Sequence, residues 1–409
     1  MKLEIIGGLN TLSLDMVGTL ALAVLLLLLG YSIRKKVELL EKFCIPAPVI
    51  GGLFFSILTL ILKQTGTLQF TLDNILQSPL MIAFFTTVGL GSSFKLLKKG
   101  GITLIIYWIL SGILSISQNL IGIVVAKLTG LSPLFGIMAG AVSMSGGHGG
   151  AAAFGKTAEE LMGISGSLTV ALAAATFGLI SGSLIGGPIT KYLIEKNDLK
   201  PTAAKYETVE ETLDHNKGDS ITYSRVIYNL AILLVLMLIG SITSEWFSSM
   251  MNGLVLPEYV GAMFIAVIFR NLNDKIKLFK IDFHIMDLFG DVSLGIFLSM
   301  ALMTLKLWEL IGLAGPLLLI LLSQVIFIAI YTIFIVFKLT GKDYDAAIMV
   351  SGMLGHGLGA TPNAIANMDS VTGKYGPSSK AFLIVPIVGA FLVDIIHIPT
   401  TVWFMNMFK

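Results

Sequence analysis

A single cysteine, Cys44, is all the thiol in this chain of 409 residues. That excludes an intramolecular disulfide and any CxxC metal or redox motif, and leaves Cys44 as a small apolar residue near a helix end. Arginine is scarce too. Arg34, Arg225 and Arg270 all fall at the ends of apolar runs, so none is placed to clamp a carboxylate in mid-membrane. Charged residues make up 13% of the chain, against about 25% in a soluble domain. The net charge of +2 sits in loops and points to no charged partner, nucleic acid included.

What fills the space is apolar. Hydrophobic residues are 55% of the total and the mean hydropathy is +0.88. Runs such as 12–31, 102–126 and 310–337 exceed the ~18 apolar residues that cross a bilayer. The chain is therefore expected to be an all-α polytopic membrane protein. The first run is long and is followed by Arg34-Lys35-Lys36, as in a spanning helix, so no cleavable signal is expected.

Ten spans are predicted: 12–31, 45–62, 77–94, 102–126 and 166–190, then 225–246, 255–271, 286–305, 310–337 and 380–403. Between the fourth and fifth of each five lies a weakly apolar segment, 132–162 and 344–374. The long polar stretch 191–224, with Glu207, Glu210, Glu211, Asp214 and His215, divides the chain into an N-terminal unit (1–195), a linker (196–222) and a C-terminal unit (223–409). The two units share words. Lys127-Leu128-Thr129-Gly130 recurs 211 residues later as Lys338-Leu339-Thr340-Gly341, and Pro46 with Val49 as Pro257 with Val260. Pro188 pairs with Pro399 at the same spacing. Ordered matches at one offset indicate an internal duplication.

Lysine and arginine collect on one side of such an arrangement: Arg34, Lys35, Lys36, Lys42, Lys95, Lys98, Lys99, the linker lysines, Arg270, Lys275, Lys277, Lys280, Lys338 and Lys342. The richer side is cytoplasmic by the positive-inside rule. Both termini then lie outside and the linker inside. Five spans per unit is an odd number, so the copies must be inverted, a design suited to alternating access.

Each weakly apolar segment carries a glycine–histidine cluster. The first is Ser145-Gly146-Gly147-His148-Gly149-Gly150; the second is Gly355-His356-Gly357-Leu358-Gly359-Ala360-Thr361-Pro362. Glycine runs break helices, and broken helices at membrane depth are tolerated where they line a polar cavity. Both segments are predicted to be re-entrant hairpins whose second helix points its amino terminus, an anion-favouring end, at a common pocket. Ser145, Gly146, Gly147, His148, Gly149, Gly355, His356, Gly357, Thr361 and Asn363 are the expected substrate-binding residues. Asp394 lies inside the last span, where a carboxylate is costly and marks a functional site. With Asn367, Thr86 and Thr87 it is the candidate sodium set. Ser299, Gln118, Asn119 and Gln324 are polar too, and suit hydroxyl back-bonding or helix–helix contacts. Isolated histidines without nearby Cys, Asp or Glu argue against a metal centre. With no arginine clamp, bound cations are needed to hold an anionic substrate.

Several of these stretches also carry a resemblance: Ser145 to Gly149, Ala175-Thr176-Phe177-Gly178-Leu179, Lys306-Leu307-Trp308-Glu309-Leu310, Gly341 to Ala347, Gly357 to Met368, and Pro386 to Phe391. Through them the whole chain resembles the bacterial glutamate:sodium symporter family. The resemblance implies sodium-coupled uptake of L-glutamate across the cytoplasmic (inner) membrane, with sodium as co-transported ion and no cofactor. It also implies ten spans in inverted halves with re-entrant loops, and a homodimer with a scaffold part and a moving part. The family often carries an apolar residue where this chain has His356, so a shifted substrate preference would register there. A symporter of another carboxylate, coupled to sodium or protons, is the alternative carrier. An intramembrane enzyme using His148 and Asp394 as acid and base leaves the duplication unexplained, and a channel, which paired hairpins also resemble, would be excluded by saturable, gradient-driven accumulation.

Overall fold

A computed structural model describes residues 2–6, 9–43, 45–201, 221–250, 256–310 and 312–409. Cys44 and the acidic centre of the linker lie outside these.

The chain enters the helical body through a small sheet. Strand β1 (Lys2–Ile6) pairs antiparallel with β2 (Leu9–Leu14), and β2 pairs in parallel with β3 (Gln69–Leu72). Outside this small sheet the described body is helical, as expected. Residues 12–14 belong to β2 rather than to the first span, and Asp15 caps the first helix, accepting the Gly18 N–H at 2.8 Å. A carboxylate inside an apolar run thus becomes a helix start.

Helices follow in the order α1 (Met16–Lys36), α2 (Ala47–Gln64), α3 (Gln77–Gly91) and α4 (Lys95–Leu128). The first glycine cluster lies in α5 (Pro133–Met138), α6 (Ala141–Met144) and α7 (Gly147–Met162), ahead of α8 (Ser167–Lys196). The second unit comprises α9 (Tyr223–Met250), α10 (Glu258–Ile276), α11 (Phe283–Met303) and α12 (Ala314–Tyr331), the last extended to Leu339 through a π-turn. The second cluster joins α13 (Tyr344–His356) to α14 (Thr361–Tyr375), and α15 (Ser379–Ile387) runs through a π-turn into α16 (Val393–Met407).

Caps explain these starts. Ser132 receives the Leu134 N–H at 3.4 Å before Pro133 opens α5, and Asp343 receives the Ala346 N–H at 2.7 Å at the matching start of α13. Pro46 and Pro257 stand at the N-caps of α2 and α10. Pro386, inside α15, lacks the N–H that an intrahelical bond needs, and the π-turn Val388–Leu392 follows directly.

Among the described residues eight helices are long and apolar enough to cross a membrane. The two further spans expected from sequence are α3, which has only 15 residues, and α10, whose end carries Arg270, Asp274 and Lys275.

Packing divides the helices into two bundles. Helices α1, α2 and α3 pack with α9, α10 and α11, while α4 to α8 pack with α12 to α16. Each bundle therefore takes the same part of both units. Outward faces are apolar, as on α9 with Leu234, Leu238, Ile242 and Trp246 exposed, which suits lipid contact.

Candidate functional site

Between the bundles lies a cavity of about 510 Å³, inside the range of about 300–1,000 Å³ usual for small-ligand sites. One wall comes from α1, α2, α3 and α11, and the other from the two glycine clusters and the stretch 389–398.

The clusters touch. Gly147 has φ +57°, and a Cβ built on it would lie 2.4 Å from the Gly359 carbonyl oxygen. Only glycine fits there, because a side chain would meet both a left-handed backbone and an immovable carbonyl. Helix α7 begins at Gly147 and α14 at Thr361, and both starts line the cavity. First-turn N–H groups have no intrahelical acceptor, and Pro362 has no N–H to leave unpaired. The cavity thus receives two positive helix ends without a basic side chain between them.

Ser145, Gly146, Gly147, His148, Gly149, Thr361 and Asp394 all stand on the wall. Ser145 Oγ donates to Gln118 Oε1 at 2.6 Å, and Gln118 Nε2 donates to the Gly357 carbonyl at 2.7 Å. One glutamine therefore ties the first cluster to the second. Gln324 Nε2 supports it from α12, donating to the Gln118 carbonyl at 2.8 Å. His148 Nε2 lies 3.0 Å from Thr176 Oγ1 on α8.

The remaining expected ligands lie off that wall. Gly355 presses against Ala364 where α13 and α14 cross, its would-be Cβ 2.3 Å from Ala364 Cα. The His356 ring is buried and meets Tyr107 OH at 2.9 Å. Gly357 faces Leu114 and Ile328. Asn363 donates to the Leu179 carbonyl at 3.1 Å and accepts from Ser183 Oγ at 2.5 Å, and Asn367 donates to the Gly182 carbonyl at 3.0 Å. Both amides bind α14 to α8. Thr86 and Thr87 donate back to Ile82 and Phe84 of their own helix, each at 2.7 Å.

Other residues join the cavity without having stood out in the sequence. Arg34, at the end of α1, lies on the wall together with Asp291 of α11. No clamp in mid-membrane follows from Arg34, but a cation on the wall at the end of a span does. His397 lines the cavity one turn after Asp394 on α16. The spacing of three residues was the available signal, since side chains three apart share a helix face. Aromatic Phe84, Phe85 and Phe154 complete the walls. Among the described residues no cluster of His, Cys, Asp and Glu is placed to hold a resident metal.

Similarity to known proteins is extensive. A family described as sodium/glutamate symporter matches residues 12–377. The sodium/glutamate symporter of Haemophilus influenzae is 42% identical over 382 residues, covering 93% of this chain and 94% of its own. That of Escherichia coli is 42% identical over 387 residues, covering 94% and 96%. Among solved structures, a sodium proton antiporter from Methanocaldococcus jannaschii aligns over 97% of this chain and 98% of its own. Its identity is 15% and its TM-score 0.44, too loose a likeness to carry an argument.

Proposed function

The chain belongs to the sodium/glutamate symporter family, and from that premise we propose that it takes up L-glutamate with sodium by alternating access, holding both between the glycine clusters. It is a multi-pass membrane transporter and not an enzyme, and sodium is its co-transported ion. One observation carries the site: the amino termini of α7 and α14 open onto a single cavity between two bundles. Two helix ends favour a carboxylate there. Asp394 on the same wall offers the negative charge that a sodium ion needs.

The proposed architecture has ten spans in two inverted halves, counting α3 and α10 as spans and the segments around the glycine clusters as re-entrant hairpins. Equivalent starts support it: α2 and α10 open after Pro46 and Pro257, and α5 and α13 after the caps Ser132 and Asp343. The protein is placed in the bacterial cytoplasmic membrane with the linker inside and both termini outside, as a homodimer. Under that orientation the end of α1 that carries Arg34 faces the cytoplasm.

Uptake of radiolabelled L-glutamate into proteoliposomes tests the function. Accumulation above equilibrium is expected only with an inward sodium gradient at fixed pH. Sodium-driven uptake of another carboxylate, without glutamate uptake, would move the substrate.

Asp394→Asn is expected to raise the sodium concentration for half-maximal uptake about tenfold or more, the scale of one lost charge-assisted contact. An unchanged sodium dependence with a raised glutamate KM would transfer Asp394 to the substrate's ammonium group.

A further inference from the structure

Few buried side-chain polar atoms lack a hydrogen-bond partner among the described residues. One of them, His397 Nε2, belongs to a residue on the cavity wall. The residue is 1% exposed. Its Nε2 lies beneath the first glycine cluster, 2.9 Å from where a Cβ on Gly146 would stand. Phe154 faces the ring edge-on, with the ring centroids 6.4 Å apart. A buried donor or acceptor left unpaired is costly, and such atoms in a cavity wall call for an explanation.

The opposite ring nitrogen determines which kind of atom Nε2 is. His397 Nδ1 lies 2.8 Å from Ser115 Oγ and 3.4 Å from Thr401 Oγ1. The contacts around Thr401 start from a fixed backbone donor. The Ala141 N–H donates to Asn119 Oδ1 at 3.0 Å, which turns the Asn119 amide nitrogen toward Thr401. There it donates to Thr401 Oγ1 at 3.4 Å, which frees the threonine hydrogen to be given to Nδ1. Ser115 adds a second and closer hydroxyl at the same nitrogen. Both hydroxyls can donate to Nδ1, and the neutral imidazole that accepts there carries its hydrogen on Nε2. The remaining ring nitrogen lies beside Gly146, itself on the wall of a cavity that already holds two anion-favouring helix starts.

We propose that His397 is a substrate-binding residue whose Nε2–H donates to a carboxylate oxygen beside Gly146. Ser115 is the positioning residue that holds the tautomer. The inference rests on the functional reading above insofar as the substrate is a carboxylate. It adds a specificity-determining contact from α16 that neither glycine cluster supplies.

Equilibrium binding of L-glutamate to the purified full-length protein in saturating sodium tests it, with the sodium-induced thermal shift in the absence of glutamate as a second readout. His397→Asn keeps an amide near Nδ1 and removes the donor at Nε2. It is expected to weaken glutamate binding about 10- to 100-fold, the range for losing a hydrogen bond to a charged group, while the sodium shift persists. His397→Gln returns an amide N–H to the Nε2 position and is expected to restore most of the affinity. Ser115→Ala is expected to weaken binding in the parent protein and to have no further effect in the His397→Gln background, because glutamine has no tautomer to hold.

Parent-like affinity in His397→Asn overturns the proposal. So does equal loss in both His397 variants together with loss of the sodium shift, which would mark a purely structural histidine. If the parent protein binds a different carboxylate instead of glutamate, the substrate assignment fails. The same variants measured with that carboxylate then decide the role of His397.

Discussion

Gly147→Val is expected to abolish glutamate uptake while the protein still inserts in the membrane at parental levels. Two effects act at this residue. Its φ of +57° costs a residue with a Cβ about 1–2 kcal/mol, and more when the side chain is branched. The larger effect is steric, because the new Cβ would lie 2.4 Å from the Gly359 carbonyl oxygen, which belongs to backbone and cannot swing aside. The two clusters would be forced apart, and the helix starts at Gly147 and Thr361 would no longer share one cavity. Gly130→Ala separates the two effects. Gly130 has φ +76° but nothing within 4 Å of its would-be Cβ, so it bears the strain without the clash. Uptake by Gly130→Ala is expected to remain near the parental level, measured in the same proteoliposomes and normalised to protein. Equal loss in both variants would place the defect in folding rather than in the site.

Gly357 makes a useful contrast, because its sequence context resembles that of Gly147. A Cβ there would meet the ends of the Leu114 and Ile328 side chains at 2.7 and 2.8 Å, besides the Met353 carbonyl of its own helix. The side-chain ends can rotate away but the Met353 carbonyl cannot, so a loss follows at Gly357 too, one that leaves the contact between the clusters unstrained. Nothing in the glycine–histidine–glycine words distinguishes these positions. What separates them is which side of each cluster faces the partner cluster, and that depends on long-range packing.

The same distinction governs the rest of the site. Ser145, the glycines after it, Thr361 and Asp394 could be singled out because helix breakers and a carboxylate inside apolar runs are local signals. His356, Asn363 and Asn367 carry equally strong local signals, yet the structure directs them to Tyr107, Leu179 and Gly182. A polar side chain within a membrane protein needs a partner, and composition alone does not say whether that partner is a ligand or a neighbouring helix. His397 shows the converse. Its importance comes from an unpaired nitrogen, which becomes visible only once Ser115 and Gly146 have been brought to it. The sheet of residues 2–6, 9–14 and 69–72 escaped for another reason. Leu12 and Leu14 continue the hydropathy of the following helix, so apolar content alone merges strand and span.

Helix division within the two bundles leads to the second large effect. A covalent bridge between the bundles is expected to stop uptake, reversibly, if alternating access depends on one bundle moving against the other. The contact at the end of α3 suits the test: Ser92 Oγ donates to the Phe391 carbonyl at 3.2 Å, and the Phe391 ring lies against Gly91. Phe391 sits in the π-turn before α16, and its neighbours Gly389 and Ala390 line the cavity. Cys44, the native thiol, is first replaced by serine. Bridging Ser92→Cys to Phe391→Cys with mercuric ion should then reduce glutamate uptake to background, and thiol reductant should restore it. A bridge between Lys191→Cys and Glu195→Cys, one turn apart on the exposed face of α8, joins nothing across the cavity and should leave uptake intact. Apolar side chains such as Phe84, Phe154 and Leu298 line the space between the bundles, Phe154 packs edge-on against Tyr259 of α10, and surfaces of that kind can slide without stripping charges of their partners. Uptake that persists through the Ser92–Phe391 bridge would confine the motion to the glycine clusters themselves. The clusters would then act as gates within a body that stays still, and the Gly147–Gly359 contact would be the gate rather than the floor of a moving site.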